Sequence, residues 1–452
     1  MVSEKWREIG IEVRRIIIFI LPLMFTGILQ LLYNAADSVI VGFFEGSTAL
    51  AAVTSTGSLV NLTVNLFMGL TIGAGVTVAH DYGAKNHEGI RKTLHTSVCL
   101  GLICGIIISV IGLFFSRTFL EWMKSPSDVI DLSSTYLSIY FLGSPAMLCY
   151  NFCATVLRSV GDTKHPLIFL SISGVTNVAL NVFFIVVIGM GVSGVAWATV
   201  ISQYISLILI VIHMIRQTDC THIDIKKLGV DYKKLKEIIR IGVPAGLQSM
   251  VFSVSNVIIQ SSINSFGSLV MAGSGASASL EGFTYIAMNS VYNATVTFVG
   301  HSVGSREYKR INRIFAITLI MVTVIGIVFG WLTFAFGEEL LAIYLPDDPL
   351  AIPYGMTRMS YIILTYFLCG IMEVIVGGVR GMGMSVIPML NAIFGTSVFR
   401  VLWIMIVFAA YPSLEVIFIS YPISWILTSI AHLICYFVKL RNIKKISYVT
   451  EI

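Results

Sequence analysis

A chain of 452 residues that is 56% hydrophobic and only 12% charged, with mean hydropathy +0.88, carries more apolar sequence than a soluble core can absorb. Its repeated apolar runs of about 18 residues or more make it a polytopic membrane protein. The formal charge of +5 sits on basic residues scattered between those runs, which excludes a nucleic-acid surface; the seven cysteines show neither metal-ligand nor disulfide spacing.

The first span is predicted over 15–42, after a basic flank that includes Lys5, Arg7, Arg14 and Arg15. The apolar run continues past Pro22 without a cleavage site, so it reads as an uncleaved span rather than a signal peptide. At about 100° per residue, Thr26, Gln30, Tyr33 and Asp37 share one helix face. A carboxylate at membrane depth costs roughly 2.5–3.5 kcal/mol on insertion scales, so Asp37 reads as a functional group facing a cavity, ahead of an Asp that glues two helices. Further spans are predicted over 49–80, 93–115, 132–156, 166–188 and 191–215, and then over 237–263, 269–300, 313–337, 351–379, 386–410 and 413–438.

Loop charge sets the expected orientation. All but four of the 29 Lys+Arg fall on one side, among them Lys85, Arg91, Arg158, Lys164, Arg306, Arg310, Arg380 and the tail residues Lys439, Arg441, Lys444 and Lys445. The other side has Arg117, Lys124 and Arg358 beside Glu121, Asp128, Glu338, Glu339, Asp347 and Asp348. Both termini are therefore expected to be cytoplasmic, in a multi-pass protein of the plasma (inner) membrane.

The stretch 216–236 is polar and basic and reads as a cytoplasmic linker between an N-terminal bundle, 1–215, and a C-terminal bundle, 237–452. The halves repeat. Pro22 recurs as Pro244, HDYGAK (80–85) as HSVGSR (301–306), and RSVGDTKHP (158–166) as RGMGMSVIP (380–388), at spacings of 222, 221 and 222. Six spans per half make the repeats parallel, with a binding site expected between them.

QLLYNAADSVIVG (30–42), HDYGAKN (80–86), RSVGDTKHP, NVALNVFFI (177–185), GVSGVAWATVISQ (191–203) and RGMGMSVIP together resemble the multidrug and toxic compound extrusion (MATE) transporters, within the superfamily that includes lipid and oligosaccharide flippases. The resemblance covers nearly the whole chain. It implies an all-α polytopic fold of twelve transmembrane helices in two pseudo-symmetric six-helix bundles forming a V. It also implies export of small organic substrates driven by inward movement of Na⁺ or H⁺, with no other cofactor and a monomer in the lipid bilayer.

Carried over by position, the N-terminal cation site resembles Asp37 with Asn177, Asn181 and Thr199, with Tyr33 and Gln30 nearby, and is the place for a possible Na⁺. Asn177 and Asn181, at i and i+4, present two amides on one helix face; the alternative is that they only join helices. Many family members resembling this one carry Asp where Asn181 stands, so Asp37 is the lone carboxylate here. Hard cations favour oxygen ligands and charge count tunes their affinity, which predicts weaker Na⁺ binding.

The C-terminal half offers Glu281 and Glu373 as an ion or substrate site, with Asn289 as a possible partner of Glu281 and Arg400 as a possible partner of either acid. Asp37's repeat equivalent is Ile259, so the halves have specialised. GMGVSG (189–194) joins two apolar spans and reads as a hairpin rather than a nucleotide loop, and GLTIGAG (69–75) as helix packing. Two functions compete: an ion-coupled exporter of cationic or amphipathic compounds, and a flippase for a lipid-linked headgroup. A flippase calls for a basic cavity, and the interior charges visible in sequence, Asp37, Glu281 and Glu373 against Arg400, are mostly acidic. No catalytic set appears, so an enzyme is not expected.

Overall fold

Each of the twelve predicted spans folds as helix in the computed structural model, which describes residues 2–123, 129–346 and 348–450. Lys124, Asp128 and Asp347, assigned above to loops, lie outside the described residues, as do the side chains of Lys5, Lys444 and Lys445. Among the described residues nine helices are long and apolar enough to cross a membrane alone. Two further spans are bent pairs: Ile130–Leu142 with Ser144–Ser159, at 46°, and Pro349–Tyr361 with Tyr366–Gly381, at 47°. The twelfth, Ser268–Gly304, has 37 residues. Its many Gly, Ser, Thr and Asn residues lower its hydropathy, and its second half, from Ala287 on, is mostly buried within the protein. The first two spans run on as one helical stretch broken at Gly46, whose φ of 85° no continuing helix adopts.

The spans have two kinds of face. Along His87–Trp122, Ile103, Ile106, Val110 and Phe114 are exposed, while Gly101, Gly105 and Gly112 on the other side are buried against neighbouring helices. Lipid tails are as apolar as leucine, so large side chains face outward without penalty and small ones let backbones approach. Gly69 of the GLTIGAG run is one of the tightest such approaches: a Cβ there would stand 2.2 Å from the backbone nitrogen of Gly246.

The repeat is visible in backbone detail. His80 and His301 lie in the last turns of their helices, followed by Lys85 (φ 54°) and Arg306 (φ 59°). These are the two non-glycine residues with positive φ among the described residues, 221 positions apart. π-Helical turns at Phe183–Val187 and Ile404–Phe408 repeat at the same spacing.

Contacts group the chain as Leu21–Gly246 and as Met1–Ile20 with Leu247–Ile452, called here the N-terminal and C-terminal units. These divisions differ from the sequence halves at 216–236, for identifiable reasons. Glu12 pairs with Arg310 at 2.7 Å and Glu8 with Arg313 at 2.8 Å, and Phe19 stacks edge-on to Phe298 at 5.3 Å; all three contacts hold the start of the first span to the C-terminal unit. The linker is packed on the N-terminal unit. Cys220 and Ile223 join the core formed by Leu94 and Met214, the Asp231 N–H donates to Thr96 Oγ1 at 3.0 Å, and Lys234 Nζ reaches Asp81 at 2.6 Å.

Candidate ion and substrate sites

In the N-terminal unit the polar face of the first span meets the fifth. Gly174 of the fifth span leaves room for the Tyr33 ring, whose edge would stand 1.9 Å from any Cβ at that position. The Tyr33 hydroxyl donates to the Ser171 carbonyl at 3.3 Å. One turn further along, Asn181 Nδ2 donates to Asp37 Oδ1. The chain of contacts continues from Asn181 Nδ2 to Asn177 Oδ1 at 3.3 Å and from Asn177 Nδ2 to Thr199 Oγ1 of the sixth span at 3.5 Å. Ser173 Oγ, donating to the Ser202 carbonyl at 2.6 Å, holds the fifth and sixth spans together beside them.

The structure therefore brings together Asp37, Asn177, Asn181 and Thr199, with Tyr33 on the same face. Gln30 is exposed and makes no hydrogen bond to them among the described residues. Thr26 turns its hydroxyl back onto the Pro22 carbonyl of its own helix at 2.7 Å. Asn181 is fully buried, yet its Oδ1 has no hydrogen-bond partner. A buried polar oxygen without a partner costs about 1–3 kcal/mol, and this one, beside Asp37, is free to take a ligand. A half-turn of the amide would present that oxygen toward Asp37. One carboxylate, two amide oxygens and a hydroxyl form a donor set that fits a hard monovalent cation, and Asp37 alone suffices to hold a proton.

In the C-terminal unit a cavity of about 410 Å³ is lined by Glu281, Arg358, Glu373, Arg400, Tyr421 and Trp425, among others. Glu281 is already matched: Arg358 Nε and Nη2 donate to its two oxygens at 2.7 and 2.9 Å, and Arg358 Nη1 donates to Ser274 at 3.1 Å. Both residues are buried. The partner is thus neither Asn289, which accepts from Asn293 at 3.0 Å, nor Arg400. Arg358 itself, counted by sequence with the charges of the non-cytoplasmic side, lies within the broken tenth span. Glu373 faces the same cavity, and among the described residues it has no ion pair or hydrogen bond. Arg400 Nε donates to Ser424 at 2.9 Å, and its guanidinium lies 4.0 Å above the Tyr421 ring. Arg380, of the RGMGMSVIP motif, is buried with Tyr292 and Gln248, each at 2.8 Å. Three buried arginines against two acids revise the sequence expectation of a mostly acidic interior for this half.

The profile of the MatE family matches the chain twice, over residues 22–183 and 244–406, one match for each half of the repeat. The chain belongs to this family.

As a MatE protein it is similar over 90% of its length to the probable multidrug resistance protein YoeA of Bacillus subtilis (strain 168), at 27% identity and covering 90% of that relative. It is 22% identical to the multidrug export protein MepA of Staphylococcus aureus (strain bovine RF122 / ET3-1), covering 89% of this chain and 92% of MepA. A crystal structure of MATE in the bent conformation superposes with a TM-score of 0.87 over 98% of this chain and 97% of that one, at 20% identity, which establishes the shared fold. The expected fold class, an all-α membrane transporter fold, is the one found.

Sequence reasoning about this MatE chain missed Arg358 as the partner of Glu281 because it stands near the start of its predicted span, where it is counted with the loop charges, and Glu281 lies 77 positions away. Spacing by 222 carries a usable signal for Arg400: it falls opposite Val178, which adjoins Asn177 and lies between the two cation-site asparagines in sequence.

Proposed function

We propose that this protein is a secondary active antiporter that exports organic compounds, cationic or amphipathic, by alternating access, driven by inward movement of Na⁺ or H⁺ through Asp37. The observation that carries the reading is a membrane-embedded carboxylate whose side-chain hydrogen-bond partner, Asn181, is neutral and keeps a buried, unpartnered oxygen. An acid with a fixed cationic partner has no need of a mobile one; among the described residues this acid lacks such a partner. The names of the relatives, multidrug resistance and multidrug export, support the substrate class. The loop charges support both termini in the cytoplasm, and membership of the family supports a monomer in the plasma membrane.

In this reading Asp37 holds a proton on a carboxylate oxygen or contributes that oxygen to a Na⁺ site completed by Asn177, Asn181 and Thr199. Tyr33, wedged against Gly174, fixes the first span against the fifth so that these oxygens converge. Dye uptake into everted vesicles under separately imposed Na⁺ and pH gradients is the test. One gradient alone should drive uptake, and Asp37→Asn should remove that drive. Uptake indifferent to both gradients would refute ion coupling.

The buried arginines of the C-terminal unit favour a second reading, a flippase for an anionic headgroup. Of the two arginines that line that cavity, Arg358 is engaged by Glu281, which leaves Arg400 among the described residues; Arg380 is held by Tyr292 and Gln248 outside the lining. One guanidinium beside a free carboxylate suits a small amphoteric molecule better than a diphosphate, so the exporter remains the conclusion.

A further inference from the structure

The repeat that builds the Asp37 cluster builds its counterpart in the C-terminal unit, and the chemistry there is inverted. At the spacing of 222, Asp37 becomes Ile259 and Thr199 becomes Tyr421; in the fifth and eleventh spans, whose π turns repeat at 221, Asn177 falls opposite Val398 or Phe399 and Asn181 opposite Leu402 or Trp403. A cation enters beside Phe399: Arg400 stands where the N-terminal unit has Val178 or Ala179, and Trp425 stands where it has Gln203. The helices that carry Thr199 and Tyr421 begin at Val192 and Leu414, again 222 apart, so the register of that span holds in the structure. Ile259 is fully buried, and no carboxylate replaces Asp37. Where the N-terminal unit offers oxygens to a cation, the C-terminal unit supplies a fixed cation of its own.

Arg400 is 8% exposed, stacks on Tyr421 and lies 5.7 Å from the Trp425 ring centre. Its single hydrogen bond among the described residues uses Nε, donated to Ser424, and the guanidinium faces the cavity. The two terminal nitrogens hold the fork of donors that matches a carboxylate. A buried guanidinium with no carboxylate partner is unfavourable unless something else neutralises it. Glu373 is a carboxylate in the same cavity with no ion pair or hydrogen bond among the described residues; the Arg380 guanidinium, outside the cavity lining, acts on it only through space. The Glu281–Arg358 pair cancels itself, so the cavity's free charges are one positive and one negative. No ion pair joins Glu373 to Arg400 among the described residues, so the two charges are left to a ligand. About 410 Å³ lies within the roughly 300–1,000 Å³ range of small-molecule sites.

We propose that the C-terminal cavity binds amphoteric organic compounds, with Arg400 taking the anionic group, Glu373 the cationic group, and Tyr421 and Trp425 the flat apolar body. This rests on the exporter reading and narrows its substrate class. A purely cationic drug satisfies Glu373 alone and leaves Arg400 buried without a counterion. A purely anionic one leaves Glu373 unmatched.

The probes are tetramethylrhodamine, which carries a carboxylate and a delocalised cation, and its methyl ester, which keeps only the cation. Binding of each to the full-length protein in nanodiscs is read by fluorescence anisotropy against protein-free discs. The wild type should bind the free acid about tenfold tighter than the ester, the scale of one charge-assisted contact. Arg400→Gln should abolish that preference, Arg400→Lys should retain part of it, and Glu373→Gln should weaken both dyes. Equal affinities in the wild type, a preference that survives Arg400→Gln, or binding of neither dye would overturn the site. Should Arg400→Gln fail to fold, the lysine variant and Glu373→Gln still decide it. Uptake of both dyes into vesicles separates the two readings: dyes that bind with the stated preference but are never moved sink the exporter, and an ester exported as well as the acid with equal affinity sinks only the site.

Discussion

Asp37 and Glu281 are both membrane-embedded acids, and the difference in their partners predicts opposite behaviour on mutation. Asp37 faces the neutral Asn181, so Asp37→Asn preserves shape and hydrogen bonding while removing the charge that holds the ion. Folding and membrane level should match wild type and gradient-driven efflux should vanish; wild-type efflux at equal membrane levels would return Asp37 to the role of helix glue. Asn181→Asp, adding a second carboxylate, should lower the Na⁺ concentration needed for half-maximal efflux if Na⁺ is the coupling ion, because charge count tunes hard-cation affinity. Glu281 is instead one half of a buried, doubly hydrogen-bonded pair with Arg358. Removing one member leaves the other uncompensated, at a cost of about 3–5 kcal/mol. Glu281→Gln should therefore lower the melting temperature followed by fluorescence-detected size exclusion, whereas Glu373→Gln, which breaks no ion pair, should leave it near wild type. Equal melting losses in the two variants would show that the Arg358 pair is not what distinguishes them.

At the scale of elements, the seventh span shows how a polar linker is turned into structure. Asp231 precedes Tyr232–Asn264 and accepts from the Lys234 N–H at 3.0 Å, an N-cap that satisfies an otherwise orphaned donor. That backbone hydrogen bond holds its carboxyl below the usual range. A lowered folded pKa means that the stabilisation is complete above the ordinary carboxylate range and is lost as pH falls through the depressed value. Asp231→Ala should thus cost about 1 kcal/mol at neutral pH, less whatever solvent screening removes at this partly exposed site, and close to nothing in strong acid. Urea titrations at the two pH values check the sign, and an effect that grows toward low pH would contradict the cap. The linker's polarity was legible in sequence; its packing was not, because the contacts of Asp231 with Thr96 and of Lys234 with Asp81 join residues more than a hundred positions apart. The twelve helices were legible because hydropathy acts locally. Bends at Gly143 and at 362–365, and the π turns after Asn181 and Trp403, depend on neighbouring helices and leave no periodic trace. The Asp37 face was readable as a polar arc, although Gln30, on that same arc, turns out to be exposed.

For the whole molecule the question is how much work one coupling ion can do. A monovalent cation entering down 100 mV releases about 2.3 kcal/mol, and a tenfold concentration gradient adds roughly 1.4. If the exported molecule has no net charge, the whole of about 3.7 kcal/mol is available and can hold it several hundredfold out of equilibrium. Exchange of the ion for a monovalent organic cation moves no net charge, so the electrical part cancels and only about tenfold remains. An amphoteric substrate bound between Arg400 and Glu373 belongs to the first case, and its methyl ester to the second. In proteoliposomes with a fixed ion gradient, and after subtraction of the dye that protein-free liposomes take up at the same potential, collapsing that potential with valinomycin and matched potassium should cut accumulation of tetramethylrhodamine by more than tenfold and leave that of the ester nearly unchanged. Identical sensitivity of the two dyes would mean that substrate charge does not enter the cycle, and that either the one-ion stoichiometry or the exchange itself must be abandoned.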